Sequence, residues 1–190
     1  MQKQTFDKIK NKVMRHSQNT NDPQHDFDHF QRVARNALQI VKYLQLESKV
    51  DLILLKTCCY VHDCHVFFMR PSFYTHFFEV SCLKKILPGF LEEFDIPEHE
   101  KKTIFRAVYN HPYSFTYGKL NKKGDLYTKI LQDADTIDYL SDERLENLKL
   151  SKKFFHYRIA SLIAKPFVMM NRKSIRRVLN FPSLSRFFYV

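Results

Sequence analysis

Glycine is nearly missing from this chain, with three in 190 residues, and tryptophan is missing altogether. So few glycines argue against a sheet-rich fold with many tight turns, and they leave no material for a glycine-rich phosphate loop. No apolar run is long enough to span a bilayer, and no N-terminal segment has the charged-then-apolar pattern of a secretory signal. A cytoplasmic location is therefore the expectation. Cysteines are few and badly spaced for a disulfide framework: Cys58, Cys59 and Cys64 crowd one segment and Cys82 stands apart. Reduced thiols fit better. Acidic residues are absent from Lys149 to Val190, a stretch that carries ten Lys or Arg. Those ten account for all but one of the net +11, so a near-neutral body is followed by a strongly basic C-terminal segment.

What the chain does have is phenylalanine, tyrosine and helical periodicity. Phe6, Ile9 and Val13 share one helical face, and NTNDPQ (19–24) reads as a loop. Phe30, Val33, Ala34, Ala37, Leu38, Val41 and Leu44 follow the i, i+3, i+4, i+7 pattern of an amphipathic helix. Ser48 or Asp51 can cap the next helix, DLILLKTCCYVHD, which is apolar almost all round and belongs at the centre. A fourth helix is expected from Tyr74 to Leu87, broken at Pro88–Gly89, with a short helical piece to Phe94. Another starts near Pro97 and ends at Asn110–His111–Pro112, and a helix over 125–140 turns Leu126, Ile130, Ala134 and Ile137 inward. The reading is all-α: a single helical bundle with a basic C-terminal helical extension. Residues 1–146 form the main domain and 147–190 the extension, packed on or beside it.

Ionisable residues recur where these apolar helices end. His29 lies beside the stripe of its helix, and His62 and Asp63 end the most buried one. His111 continues the line of Ile104 and Val108, and Asp133, Asp135 and Asp138 sit inside an apolar helix. Taken singly, each is read as a packed histidine or a solvated aspartate. Together they are harder to dismiss, because buried charges are costly unless paired or bound to metal, and a shared cation would satisfy several at once.

These elements resemble the HD-domain metal-dependent phosphohydrolase superfamily, in its compact bacterial subgroup. The resemblance rests on an ordered H…HD…D series over roughly residues 1–146: DPQHDFDHFQRVARNAL (22–38) with His29, YVHD with His62 and Asp63, and KILQDADTIDYL with the distal aspartate. His76 in HFFEVSC and His111 in AVYNHPYS match two further histidines of that subgroup. The resemblance implies a divalent metal held by His29, His62, Asp63 and Asp135. Periodicity does not choose between Asp133 and Asp135, and Asp133 is kept as a second-shell or substitute ligand. Imidazole with carboxylate suits Mn, Fe, Co, Ni or Mg, and Zn less exclusively than thiolates would, as one or two ions. Asp63 would both bind the metal and orient a water, and His25 and Asp26 would be outer partners or proton shuttles. His76 and His111 would contact a substrate phosphate or hold a second metal, the former being favoured. Arg32 is expected in a salt bridge to an acidic side chain. The implied function is hydrolysis of a phosphoester of a nucleotide or related small phosphorylated compound.

Two other chemistries fit less well. A thiolate zinc site needs two Cys pairs and only Cys59-x₄-Cys64 comes near, while Cys-x-x-Cys is absent. The cysteines are read as small core residues. The basic segment, where Phe155, Ile159, Leu162, Val178 and Phe181 are expected to pack on the body, supports an alternative. In it the chain binds nucleic acid or an acidic membrane surface through 149–186, and the HD site is vestigial or regulatory.

Overall fold

The computed structural model describes residues 1–20, 22, 24–112, 124–150, 158–159, 162, 168–170, 172–173 and 175–188. Every regular element among them is helical: α1 (Lys3–Asn19), α2 (Phe27–Tyr43), α3 (Leu52–Val61), α4 (Phe73–Phe77), α5 (Glu79–Glu92), α6 (Glu98–Asn110), α7 (Leu126–Tyr139) and α8 (Asp142–Leu150). A 3-10 turn, Cys64–Phe67, follows α3, and short helices Ile175–Val178 and Ser185–Phe188 lie near the C-terminus. The chain is an all-α bundle. No helix among the described residues is long and apolar enough to cross a membrane.

Aspartates start three of these helices. Asp26 accepts from the His29 backbone N–H, Asp51 from those of Ile53 and Leu54, and Asp125 from that of Thr128. Each satisfies amide groups that a helix N-terminus leaves open, typically worth about 1 kcal/mol. The α4 start carries a reciprocal Ser72–Thr75 capping box. Helix α5 differs from expectation, because it runs through Pro88 to Glu92 rather than breaking there. Leu83, Leu87, Phe90 and Leu91 keep one buried stripe across the proline, and Lys84, whose carbonyl loses its partner, is exposed to water. The break falls earlier, at Phe78, between α4 and α5.

The central helix is α3. It packs on α1, α2, α6 and α7, and Leu55, Cys58, Cys59 and Val61 have no exposed surface. All four cysteines are free and buried. Helix α2 lies along both α3 and α7, burying Phe30, Val33, Ala37 and Ile40 completely. Asn36 on α2 donates across that contact to the Ala134 carbonyl at 3.1 Å. Full burial of such side chains is worth about 1.5–3 kcal/mol each, which holds these helix axes, and the polar groups at their ends, in place.

The C-terminal segment is built into this core. Val168, Ile175, Leu179 and Leu184 join the same buried cluster, and Phe181 packs against it. Helix α8 runs across the 146/147 boundary. Ile159 and Leu162, expected to pack on the body, are instead exposed, at 41% and 78%; Phe155 lies outside the described residues.

Candidate metal centre

Three helix ends and the middle of a fourth helix meet at one point. His29 stands in the first turn of α2, His62 and Asp63 follow the last turn of α3, His111 caps the end of α6, and Asp135 projects from α7. The Nε2 atoms of His29 and His62 lie 3.2 Å apart. Asp63 Oδ2 is 3.1 Å from His62 Nε2 and 3.5 Å from His29 Nε2. Asp135 Oδ1 lies 3.7 Å from His62 Nε2 and 3.9 Å from His29 Nε2. His29, His62 and Asp135 therefore offer donor atoms within 4.8 Å of one another, as do His62, Asp63 and His111.

The far side of each imidazole is already committed. Asp138 Oδ2 takes His29 Nδ1 at 2.8 Å, the Cys59 carbonyl takes His62 Nδ1 at 2.8 Å, and the Val108 carbonyl takes His111 Nδ1 at 2.7 Å. These acceptors place the ring proton on Nδ1 and turn the Nε2 lone pairs inward. Two lone pairs 3.2 Å apart repel unless positive charge stands between them, so the cluster requires bound protons or a cation. The titration of the groups expresses the same demand. Burial opposes a proton on His62, yet Asp63 and Asp135 raise it to about 9. Burial would raise the Asp63 carboxyl, but His62, His111 and His29 hold it well below the usual carboxylate range. Asp135 is lowered too, against burial, chiefly by His62. Three imidazoles with two carboxylates, oriented by their own acceptors, fit a divalent cation of the borderline or hard kind.

Asp138 is the outer anchor. Beside His29 Nδ1 it accepts from Arg32 Nε at 2.5 Å and pairs with Arg144 Nε at 3.6 Å. Burial works against its charge, but His29, Arg144 and Arg32 hold it far below the ordinary range.

A second pair of groups approaches Asp63 from its other oxygen. His111 Nε2 lies 3.7 Å from Asp63 Oδ1 and 3.3 Å from Glu79 Oε1. Burial and the Asp63 charge raise the Glu79 carboxyl, against the pull of His111. Glu79 was not among the sequence candidates. Its signal is faint: an acid three residues after His76, in a helix whose next residues are largely apolar.

The other candidates divide. His25 presents Nε2 to Asp63 Oδ2 at 3.5 Å, with its Nδ1 held 2.8 Å from Asp22 Oδ2. Burial would lower its pKa, but Asp22 and Asp63 raise it. Asp26 is the helix cap described above, and its carboxylate is used on the His29 amide at 2.9 Å. Asp133 corrects a second-shell expectation. It is wholly buried, and its carboxylate accepts from the backbone N–H groups of Asn180 and Phe181 at 2.8 and 2.9 Å and from Asn180 Nδ2 at 2.9 Å. It clasps the C-terminal segment to α7. His76 belongs to α4, and its side chain lies outside the described part of the structure.

The thiols stand apart from this cluster. Burial pushes Cys58, Cys59 and Cys64 up, away from the thiolate form that a nucleophile or zinc ligand needs. Among the described residues no metal-type cluster contains a cysteine.

The cluster opens to solvent on the side of Asp63. A cleft on that side is lined by His25, Asp63, His65, Ser72, Thr75 and Glu79. His65 is 4% exposed and its Nδ1 has no hydrogen-bond partner.

No family model and no curated protein matches this chain. Among solved structures, it is similar to the crystal structure of a Lactobacillus plantarum protein, a Northeast Structural Genomics target, with a TM-score of 0.61 and 18% identity over 80% of this chain. The chain spans 65% of that protein's length. At this identity the likeness concerns the fold.

Proposed function

We propose that this chain is a metal-dependent phosphohydrolase of the HD type, acting on a phosphoester of a nucleotide or a related small phosphorylated compound. The observation that carries the reading is the meeting of His29 Nε2, His62 Nε2, Asp63 Oδ2 and Asp135 Oδ1 from three separate parts of the chain, with both ring Nδ1 atoms tied back. A divalent cation held by these four residues would neutralise a phosphoryl oxygen and lower the pKa of water, so that hydroxide is available at neutral pH. Asp63 faces both the imidazole cluster and the cleft, so one carboxylate both holds charge and orients what enters. His25, braced by Asp22, stands 3.5 Å from Asp63 Oδ2 and lines the cleft, where it is placed to carry a proton. Asp138 and the Cys59 carbonyl keep the two imidazoles in one tautomer throughout.

The test is metal analysis of the purified protein together with a phosphatase panel run with Mn, Fe, Co, Ni, Mg and Zn. One tightly held ion or more, and activity lost by chelation and by His62→Ala, are expected. A protein that binds no divalent ion and hydrolyses nothing that His62→Ala abolishes overturns the reading.

A second reading, binding of nucleic acid or an acidic membrane surface through 149–186, is favoured by the outward side chains Lys173, Arg177 and Arg186. Because the segment also fills the core, charge reversal at those three positions is the cleaner test than truncation. Loss of polyuridylate or phosphatidylserine-vesicle binding, with a strong salt dependence in the wild type, supports it; unchanged binding removes it.

A further inference from the structure

His65, the last residue of the run HDCH (62–65), stands beside the metal cluster without joining it. It lies in the 3-10 turn Cys64–Phe67, where the Val66 amide donates to the Asp63 carbonyl at 3.0 Å and the Met69 amide to the His65 carbonyl at 3.1 Å. Such a turn repeats every three residues, so Asp63, Val66 and Met69 share a face, and all three line the cleft together with His65. Asp63, His25, His111 and His62 act on the His65 ring through their charge, yet among the described residues no metal-type cluster includes it. The other polar groups of the cleft wall have partners. Asp22 braces His25 at 2.8 Å, Ser72 and Thr75 cap each other, and Glu79 lies 3.3 Å from His111 Nε2. His65 is 4% exposed, and no hydrogen bond joins its ring to a described residue.

The buried nitrogen of that ring is Nδ1. This reverses the arrangement at His29, His62 and His111, where Nδ1 is tied to Asp138, the Cys59 carbonyl and the Val108 carbonyl and the Nε2 lone pair faces inward. At His65 a proton on Nδ1 would be buried with no acceptor, which costs its full desolvation. The ring proton therefore sits on Nε2, the nitrogen left to face the cleft. We propose that the Nε2–H of His65 donates a hydrogen bond to a phosphoryl oxygen of the substrate that the metal does not hold. The inference rests on the phosphohydrolase reading for the presence of a phosphate in the cleft at Asp63. A cation in the cleft would call for a lone pair on Nε2, whereas a proton there calls for an acceptor, and a phosphoryl oxygen is one. The cleft also presents the carboxylates of Asp22, Asp63 and Glu79, which repel an anion, so a phosphate needs an N–H donor besides the cation. His65 supplies one that no protein group already uses. It binds the substrate, and the attack on phosphorus is left to water at the metal.

The probe is inorganic phosphate, titrated calorimetrically into the full chain with Mn²⁺ present. His65→Leu removes the donor and should weaken phosphate by about 10-fold or more, the low end for one hydrogen bond to a charged group. Mn²⁺ affinity should stay put. The metal-free melting temperature should hold or rise, because an apolar side chain replaces a buried nitrogen that has no partner. A merely structural residue would give the reverse, a lower melting temperature with phosphate affinity unchanged. His65→Gln, whose side-chain amide reaches the position of Nε2, should restore most of the affinity. Imidazole nitrogen NMR of the wild type, with Mg²⁺ in place of the paramagnetic Mn²⁺, reads the tautomer directly and serves if His65→Leu fails to fold; a proton on Nε2 that shifts when phosphate is added is expected. Binding is read apart from turnover. Absence of all phosphatase activity, with phosphate binding that still depends on His65, would defeat the hydrolase reading alone. Phosphate affinity unchanged in His65→Leu, with turnover intact, would defeat this proposal alone. No phosphate binding by the wild type, a proton on Nδ1, or an Nε2 signal indifferent to phosphate also overturns it. So does loss of Mn²⁺ together with phosphate in His65→Leu, since His65 would then be a metal ligand.

Discussion

Asp133→Asn and Asp135→Asn are isosteric changes two residues apart on α7, and they should fail in opposite ways. Asp133 is wholly buried and accepts three donors from 180–181. An asparagine there can keep its one oxygen toward the two Asn180 donors, but its amide then faces the Phe181 N–H. One charge-assisted hydrogen bond is lost, about 1.5–3 kcal/mol, and the part-buried Phe181 N–H is left facing a donor. A loss of about 3 kcal/mol corresponds to a Tm fall of about 6–12 °C for a chain of this length. Metal affinity should barely move, because the Asp133 carboxylate is directed at the C-terminal segment. Asp135 has 22% of its side chain exposed and lies 3.7 Å from His62 and 3.9 Å from His29. Asp135→Asn should leave the metal-free Tm within about 2–4 °C, the effect of 1 kcal/mol, while Mn²⁺ affinity drops by more than the roughly 10–100-fold that loss of even an outer-sphere partner brings. Thermal melts without metal and calorimetric Mn²⁺ titrations of both variants decide it. If Asp133→Asn abolishes metal binding with its Tm intact, Asp135 is not the ligand and the geometry of α7 has been misread.

Three further outcomes follow from particular side chains. Burial, reinforced by His25, His111 and His62 and only partly offset by Asp63, pushes the His65 imidazole down to about 4. The unfolded chain takes up that proton near pH 6.5, so the stability that neutral His65 contributes is complete above about 6.5 and is lost as pH falls toward about 4, by at most about 1.4 kcal/mol per pH unit; urea midpoints for His65→Asn should show a shallower decline across this window, and an unchanged slope would contradict the assignment. Asp26→Ala removes the α2 cap and should cost about 1 kcal/mol of stability with turnover per folded molecule preserved; a hundredfold fall in kcat at unchanged stability would make Asp26 a catalytic group after all. Gly124→Ala would drive a Cβ into the Thr128 side chain, which is fully buried and held by Asp125, so overpacking of about 1–3 kcal/mol should appear in denaturant unfolding, and a neutral result would mean that the α7 start yields easily.

The local part of this structure was legible in the chain itself. Helical periodicity, the scarcity of glycine and the Asp51 cap are properties of neighbours a few residues apart, and they determined an all-α bundle with an apolar central helix ending in His62–Asp63; that Asp26 and Asp125 also cap helices was seen only in the structure. The placement of His29 beside its stripe was equally readable, since α2 has one clear buried face. What only the tertiary structure decided is the rotation of α7. That helix is buried nearly all round, so it has no solvent face from which a phase could be read. Packing against α2 on one side and the C-terminal segment on the other sends Asp133 to Asn180, Asp135 to the imidazole cluster and Asp138 to His29 Nδ1. Glu79 was hidden for a related reason: its approach to His111 depends on how α5 docks beside the turn after α3, a contact between distant segments with no trace in local spacing. The basic C-terminal stretch announced its charge in the sequence but not its anchoring, because the buried carboxylate that holds it belongs to a helix some 47 residues earlier.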